Sequence, residues 1–217
     1  MPITAAEASV RTEDICRAAP IIPVLVIDDV AHARPLAEAL VAGGLPALEV
    51  TLRTPSALEA ITAMGEVAGG IPGAGTLLTP DDVKRAVDAG ARFGVSPGAT
   101  DALLDAAEAE GLPLLPGAAS PTEAVRLLAR GYSVQKFFPA AAAGGVPFLK
   151  ALSSPLPQVR FCPTGGVSPD NAADYLALAN VICAGGSWVA PRALMEAGDW
   201  AAITALAAQA ATLAGAD

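Results

Sequence analysis

Apolar residues along this chain alternate between short unbroken runs and longer stretches with helical spacing. Residues 21–27 are apolar at both odd and even positions, which predicts a parallel strand covered on both faces. Residues 28–41 then carry apolar side chains at helical spacing and end at a Gly-Gly pair, where a helix is expected to stop. Because this strand-then-helix unit recurs along the chain, the pattern predicts an α/β fold.

Eight such units can be counted. The predicted strands cover residues 21–27, 47–52, 71–78, 92–96, 112–116, a sixth run around Lys136, 159–164 and 181–184. Thr-Pro or Ser-Pro pairs at positions 54, 79, 120 and 168 are predicted to start four of the helices, because a hydroxyl cap and a proline both suit a first helical turn. Residues 4–18 are predicted to form a leading helix with Thr4 as its N-cap.

Eight strands that are each followed by a helix are typical of a (β/α)8 TIM barrel, here with an extra N-terminal helix. No long linker or change of composition divides the chain, so residues 1–217 are expected to form a single domain. An open, doubly wound sheet would give the same alternation, although no dinucleotide-binding fingerprint follows the first strand.

Charge and cysteine content limit the possible partners. The formal net charge of -9 argues against a nucleic-acid surface or an acidic membrane surface. No apolar run is long enough to span a membrane, and residues 1–20 lack the apolar core of a signal peptide. Cys16, Cys162 and Cys183 fit neither a metal-binding spacing nor a disulfide framework, so a reducing, cytoplasmic location is expected.

One lysine stands out because it interrupts an apolar run. Lys136 lies between Val134 and Phe137 in a segment expected to be a buried strand. An ammonium group loses hydration in such surroundings, and a neutral amine can attack a carbonyl to form a Schiff base. The alternative is a lysine that reaches water at the strand end or pairs with a carboxylate.

Alternation along two strands brings polar groups to one side. Glu49, Thr51 and Arg53 share a parity in the second strand. In the sixth, Val134, Lys136 and Phe138 do the same. If those faces point into a barrel, a carboxylate, a guanidinium and an amine converge near the carboxyl ends of the strands, where barrels place reactive groups. A buried ion pair between Glu49 and Lys136 without any chemistry is the alternative.

Glycine pairs follow the last two predicted strands. Gly165 and Gly166 come after the seventh strand, and Gly185, Gly186 and Ser187 come after the eighth. In barrels this is where backbone N–H groups form a phosphate site, and glycine lets the backbone approach the phosphate oxygens closely. Such pairs also occur in simple turns, so each pair alone indicates little.

Five short segments in chain order carry a family resemblance. They are residues 48–54 (LEVTLRT), 73–76 (GAGT), 95–98 (VSPG), 136–140 (KFFPA) and 160–167 (RFCPTGGV). Together with the later GGSW at 185–188, they resemble the 2-keto-3-deoxy-6-phosphogluconate aldolase (KDPG/KHG aldolase) family. The chain departs from the family pattern at residues 117–120 and 140–143.

The resemblance implies a homotrimeric class I aldolase on a (β/α)8 barrel that needs no metal or other cofactor and acts on a phosphorylated 2-keto acid. Carried over by motif, Lys136 would form the Schiff base and Glu49 would move protons through a water molecule. The remaining matched residues would hold the pyruvate carboxylate (Arg53, Thr76, Thr164), line the pocket (Pro97, Phe138) and bind the phosphate (Gly165, Gly166, Gly186, Ser187).

The reaction that the resemblance implies is cleavage of 2-keto-3-deoxy-6-phosphogluconate to pyruvate and glyceraldehyde 3-phosphate. A 4-hydroxy-2-oxoglutarate or 2-keto-3-deoxy-6-phosphogalactonate aldolase would use the same lysine. A phosphosugar isomerase or epimerase on the same barrel would use the glycine pairs but need no strand lysine. A barrel scaffold without catalysis is the third hypothesis.

Overall fold

The computed structural model describes residues 1–213, and its elements follow the predicted alternation of strands and helices. Residues 214–217, the end of the predicted single domain, lie outside the described part. The strands are β1 (Ile21–Leu25), β2 (Ala47–Thr51), β3 (Ile71–Gly75), β4 (Phe93–Val95), β5 (Leu114–Leu115), β6 (Gly117–Ala118), β7 (Val134–Phe137), β8 (Arg160–Pro163) and β9 (Ala184–Gly186).

Helices connect and cover these strands. They are α1 (Ala5–Cys16), α2 (Ala33–Ala42), α3 (Ala57–Gly65), α4 (Pro80–Asp88), α5 (Asp101–Glu110), α6 (Pro121–Arg130), α7 (Gly145–Leu152), α8 (Ala172–Leu176), α9 (Arg192–Ala197) and α10 (Trp200–Ala211), with a 3-10 turn at Val30–His32 before α2. None of the helices within residues 1–213 is both long enough and apolar enough to cross a bilayer.

The strands pair in parallel and form two ladders. One ladder has six strands in the order β5-β4-β3-β2-β1-β9, and the other has three in the order β6-β7-β8. Two isolated parallel bridges, Phe161 with Val181 and Thr164 with Gly185, join β8 to the segment that contains β9. A side chain of β2 also contacts one of β7, although those strands belong to different ladders. The fold is therefore α/β with a curled parallel sheet.

The predicted fifth strand is split in two. The sequence predicts one strand over residues 112–116, whereas β5 pairs with β4 and β6 pairs with β7, with Pro116 between them. Proline has no N–H to donate to a ladder, so pairing is interrupted there, although its carbonyl accepts from the Lys136 backbone N–H at 2.9 Å. Residues 1–213 therefore contain nine strands in two ladders, where the sequence predicts eight strands in one barrel.

Two of the four predicted helix starts are confirmed. The Thr79 and Ser120 hydroxyls accept from backbone N–H groups three residues on, and a proline follows each cap. The other two predictions are wrong. The Thr54 hydroxyl donates to the Ile27 carbonyl instead of capping a helix, and α8 begins at Ala172, four residues after Ser168.

Helix α1 packs against the amino-terminal ends of β5 and β7. Its predicted cap is confirmed, because Thr4 and Glu7 form a reciprocal capping box. The Thr12 hydroxyl contacts the Leu114 carbonyl, and the Ser9 hydroxyl accepts from the Ser133 backbone N–H. The helix thereby delivers its last residue into the interior of the sheet.

That last residue, Cys16, belongs to a group of three buried thiols that we call the thiol cluster: Cys16, Cys162 and Cys183. Hydrogen bonding of Cys183 as a donor to the Cys16 and Cys162 thiols, followed by burial, holds the pKa of Cys183 well above its ordinary value. A hydrogen bond with Cys183 lowers the pKa of Cys16, but burial outweighs it, so the net pKa is raised. All three thiols are therefore surrounded by apolar packing and by one another.

Candidate active site

Lys136 and Glu49 form an ion pair inside the curled sheet. Lys136 is on β7 and Glu49 on β2, and the lysine Nζ lies 3.2 Å from the glutamate Oε1. Only 6% of the lysine side chain and 3% of the glutamate side chain are exposed. The structure therefore brings together the amine and the carboxylate that the sequence singles out.

A glycine lies beside Lys136 on the neighbouring strand. Its register partner on β6 is Gly117 and its partner on β8 is Cys162. A Cβ atom at position 117 would overlap the backbone carbonyl of Pro97, with 2.7 Å to the Gly98 nitrogen. Glycine at that position lets the loop after β4, which carries Pro97, lie close to the strand beside the lysine.

Glu49 is accommodated by a glycine on the adjacent strand. A Cβ atom at Gly75 would lie 2.7 Å from Glu49 Cγ and 2.9 Å from Cδ, closer than non-bonded carbons approach. The next residue, Thr76, has a backbone φ of 62°, which is costly for a β-branched side chain. The end of β3 is thus shaped around the Glu49 carboxylate at the expense of local strain.

An aromatic ring borders the lysine. The Phe138 ring centroid lies 5.3 Å from Lys136 Nζ, within the range of a cation–π contact. Gly165, with φ of 96°, brings the backbone after β8 against the same ring, because a Cβ there would sit 3.3 Å from ring carbons. Phe138 therefore connects the lysine to the glycine-rich loop.

Arg53 is exposed and does not contact the ion pair. Its Nε donates to the Thr51 hydroxyl at 3.0 Å, and that hydroxyl donates to the Leu25 carbonyl at 2.8 Å. Its backbone N–H also donates to the Thr51 carbonyl at 2.8 Å. Arg53 thus folds back over Thr51 at the carboxyl end of β2.

The remaining predicted residues lie at the carboxyl ends of β8 and β9. Thr164 is buried and bridges to Gly185, where any Cβ would overlap the threonine side chain. A Cβ at Gly186 would likewise overlap the Trp188 ring, with 2.5 Å to its Cε3, and Ser187 between them is exposed. Gly166 has φ of 78° beside Ala141. These residues surround the same edge of the sheet as Lys136.

Two contributors were not singled out by sequence reasoning. Gly75 makes room for Glu49, and Thr51 holds Arg53. The signal for Gly75 was a glycine-rich strand beside a strand bearing an acidic residue. The signal for Thr51 was weaker, because a threonine in a strand usually reflects β-propensity alone.

Cavity size does not mark this site. Two cavities of about 480 Å³ are lined by other residues, one by Arg11, Arg92 and neighbours near α1, the other by Arg126, Arg130 and neighbours between α5 and α6. Neither is lined by Lys136 or Glu49. The buried ion pair marks the site instead, because two charges removed from water cost free energy unless they are paired or used in chemistry. Within residues 1–213, His, Cys, Asp and Glu side chains form no cluster with metal-binding geometry.

Comparison with known proteins gives consistent matches over nearly the whole chain. A family model described as "Aldolase: KDPG and KHG aldolase" matches residues 12–206. The 2-dehydro-3-deoxy-phosphogluconate aldolase of Pseudoalteromonas atlantica is 52% identical over 202 residues, which cover 93% of this chain and 94% of that protein.

Solved structures agree with these matches. The 2-keto-3-deoxy-6-phosphogluconate aldolase of Zymomonas mobilis with 3-phosphoglycerate superposes with a TM-score of 0.90 at 50% identity, covering 95% of this chain and 98% of that one. The KDPG aldolase of Legionella pneumophila, with pyruvate captured as a covalent carbinolamine intermediate, has a TM-score of 0.89 at 48% identity, covering 92% and 98%.

Proposed function

This chain belongs to the KDPG and KHG aldolase family, and from that premise we propose that it cleaves 2-keto-3-deoxy-6-phosphogluconate to pyruvate and glyceraldehyde 3-phosphate. It does so as a class I aldolase, through a Schiff base on Lys136. The observation that carries the proposal is the buried contact of 3.2 Å between Lys136 Nζ and Glu49 Oε1. The Legionella relative with covalently captured pyruvate supports the same chemistry.

The ion pair supplies the neutral amine. Proton transfer from Lys136 to Glu49 gives an amine with a free lone pair beside a carboxylic acid, and the amine attacks C2 of the keto acid. The protonated Glu49, directly or through a water molecule, then protonates the C2 oxygen to give a carbinolamine. A second proton passes from the nitrogen to that oxygen, and water leaves. The product is an iminium between Lys136 and C2.

The iminium then serves as an electron sink for carbon–carbon cleavage. Glu49, again a carboxylate, accepts the C4 hydroxyl proton, the bond between C3 and C4 breaks, and the aldehyde leaves. The electron pair remains on the Lys136 adduct as an enamine. Protonation at C3 and hydrolysis release pyruvate and restore the amine.

Other residues hold the two ends of the substrate. We assign the pyruvyl carboxylate to Arg53, Thr76 and Thr164, because a guanidinium fork and hydroxyl donors suit a planar anion. Pro97 and Phe138 form the pocket walls. The phosphate is assigned to the backbone around Gly165, Gly166 and Gly186 and to the Ser187 hydroxyl. Support for this assignment is the positive φ of Gly165 (96°) and Gly166 (78°), a conformation that turns backbone N–H groups outward, together with the exposed Ser187 hydroxyl.

We also propose the overall architecture, the oligomeric state and the location of the protein. We propose that the two ladders are parts of one (β/α)8 barrel in a single domain; the bridges from β8 toward β9 and the Lys136–Glu49 contact across the ladders support closure. The family resemblance supports a homotrimer acting on a phosphorylated 2-keto acid. Three unpaired, buried cysteines are compatible with the reducing cytoplasm that we propose as the location.

Borohydride reduction in the presence of pyruvate tests the proposal. We expect one pyruvyl adduct per chain, found by peptide mass on the peptide that carries Lys136. The Lys136→Met variant should form no adduct, and the matched Lys150→Met variant, at an exposed position of α7, should form it as the wild type does. A wild-type chain without an adduct, or with one on Lys84, would refute the proposal.

A second substrate deserves direct comparison, because the matching family is described by both names, KDPG and KHG. Cleavage of 4-hydroxy-2-oxoglutarate would use the same lysine and carboxylate site but no phosphate site. Pyruvate release from the two substrates and from the galactonate epimer therefore separates the candidates. We expect the phosphorylated gluconate to have the highest kcat/KM, and Ser187→Ala to lower it only for the phosphorylated substrates.

A further inference from the structure

Thr51 lies at the point where β2 ends and is 2% exposed. Its hydroxyl carries one proton, and that proton has a clear acceptor, the Leu25 carbonyl at 2.8 Å. Its lone pair accepts from Arg53 Nε at 3.0 Å, since a guanidinium can only donate. The Thr51 hydroxyl is therefore a donor to β1 and an acceptor from Arg53.

This arrangement determines which part of the guanidinium remains available. With Nε engaged by Thr51, the two terminal Nη groups form an end-on fork, and neither has a hydrogen bond or ion pair within residues 1–213. The backbone is held as well, by the Arg53 N–H to the Thr51 carbonyl at 2.8 Å. A flexible, exposed arginine is thus restrained at both its backbone and its Nε.

From this geometry we propose that Thr51 is a positioning residue that orders the Arg53 fork for the carboxylate of the keto acid. The inference rests on the proposed function, in which Arg53 binds that carboxylate. Restraining the side chain before the substrate arrives reduces the conformational entropy lost on binding, so the hydroxyl contributes to affinity without touching the substrate.

The expected effect is a separation of KM from kcat. Arg53 holds the carboxylate equally before and during bond cleavage, so loss of its restraint weakens binding without slowing the chemical step. For Thr51→Val, which keeps the shape and removes the hydroxyl, we expect KM for the substrate to rise about tenfold while kcat stays within about twofold. Thr51→Ser, which keeps the hydroxyl, should restore the wild-type KM.

Comparing a ligand that has a carboxylate with one that lacks it tests whether Thr51 has more than a structural role. The pyruvate concentration that half-saturates borohydride trapping should rise about tenfold in Thr51→Val, whereas that for methyl pyruvate, which lacks the charge, should not change. Thr54→Val is the matched control, since the Thr54 hydroxyl also donates to a carbonyl just after β1 but forms no hydrogen bond with the Arg53 side chain within residues 1–213. It should leave both concentrations unchanged.

The possible outcomes distinguish failure of the proposed aldolase function from failure of the role assigned to Thr51. Absence of trapping in the wild type would refute the proposed function, whereas normal trapping with an unchanged Thr51→Val would refute only the role of Thr51. Equal weakening of pyruvate and methyl pyruvate would also overturn it. If Thr51→Val does not fold, Arg53→Lys provides a second test, because position 53 is exposed and lysine lacks the planar fork. This variant must raise the half-saturating concentration of pyruvate in borohydride trapping, but not that of methyl pyruvate. A wild-type response there would end the inference.

Discussion

The interior of the curled sheet holds two very different groups of buried polar side chains. The Lys136–Glu49 pair consists of opposite charges 3.2 Å apart, whereas the thiol cluster consists of three neutral groups that contact one another and apolar side chains. The two meet on neighbouring strands, since Lys136 and Cys162 are register partners. The charged site at Lys136 on β7 and the thiol cluster at Cys162 on β8 are therefore only one strand apart.

Local packing accounts for the difference. Beside the ion pair, Gly75 and Gly117 occupy positions where a side chain would collide with Glu49 or with the Pro97 loop. Around the thiols, α1 and side chains such as Phe93 fill the interior instead. Burial alone thus does not distinguish the two groups; the opposite charge held 3.2 Å from Lys136 does.

The strongest test of this contrast removes one charge. In Glu49→Gln the proposed proton acceptor is lost, so we expect turnover to fall roughly 10²–10⁴-fold while the Lys136 adduct with pyruvate can still form slowly. The lysine is left buried without its partner, so the free energy of unfolding should drop by about 3–5 kcal/mol. Steady-state kinetics and urea denaturation measure the two effects.

The matching change in the thiol cluster is Cys183→Ala. It leaves a small cavity and should cost about 1–2 kcal/mol of unfolding free energy, with turnover near that of the wild type. If the cysteine variant lost turnover as severely as Glu49→Gln, the contrast between a reactive and an inert group would be wrong.

A smaller effect is expected from adding one methyl group beside the pair. In Gly75→Ala the new Cβ would lie 2.7 Å from Glu49 Cγ, so the carboxylate must move away from Lys136. Displacement of a catalytic group by about 1 Å costs on the order of 10²-fold in rate, and we expect kcat to fall by that amount. Gly65→Ala, whose Cβ would have its nearest neighbour at 4.0 Å, is the control and should keep full activity.

The smallest expected effect is a dependence of the free energy of unfolding on pH, caused by the buried thiols. The pKa values of Cys16 and Cys183 are raised in the folded chain, so the folded state favours the neutral thiols. Their contribution to stability is complete below the unfolded pKa, near 9.0, and is lost as pH rises toward the folded values. Above pH 9 the free energy of unfolding should fall by about 1.4 kcal/mol per pH unit for each thiol concerned.

Denaturation of the wild type and Cys183→Ala between pH 8 and 10 checks this slope, which should be shallower in the variant. A thiol reagent at pH 8 provides a second measurement, because buried thiols should react only after unfolding. Rapid modification of any of the three in the native protein would contradict the assignment.

Much of the fold followed from hydrophobic patterning. Unbroken apolar runs located the strands, since parallel strands covered on both faces need apolar residues at every position. The parity of Glu49 and Lys136 also predicted that they face each other. Patterning failed at Pro116, where the missing N–H splits a strand within an apolar run, and at Thr54, whose hydroxyl is used by a neighbouring strand end.

The site could be predicted only in part. Lys136 and Glu49 are conspicuous because charges are rare in buried strands. The roles of Gly75 and Thr51 depend on which atoms lie opposite them across strands, and that information is long-range. In the sequence alone, Gly75 looks like any glycine in a strand and Thr51 like any strand threonine. Nothing there indicates the close packing against Glu49 or the hydrogen bond to Arg53.

The Lys136–Glu49 contact also has a consequence for how the chain folds. The two residues are 87 positions apart, and they lie in different ladders. Closing a loop of that length has an entropic cost that other long-range contacts must offset, so we expect the pair to form once both ladders are in place. If Lys136 traps a keto acid as proposed, trapping should then report completed folding and be regained last during renaturation from urea.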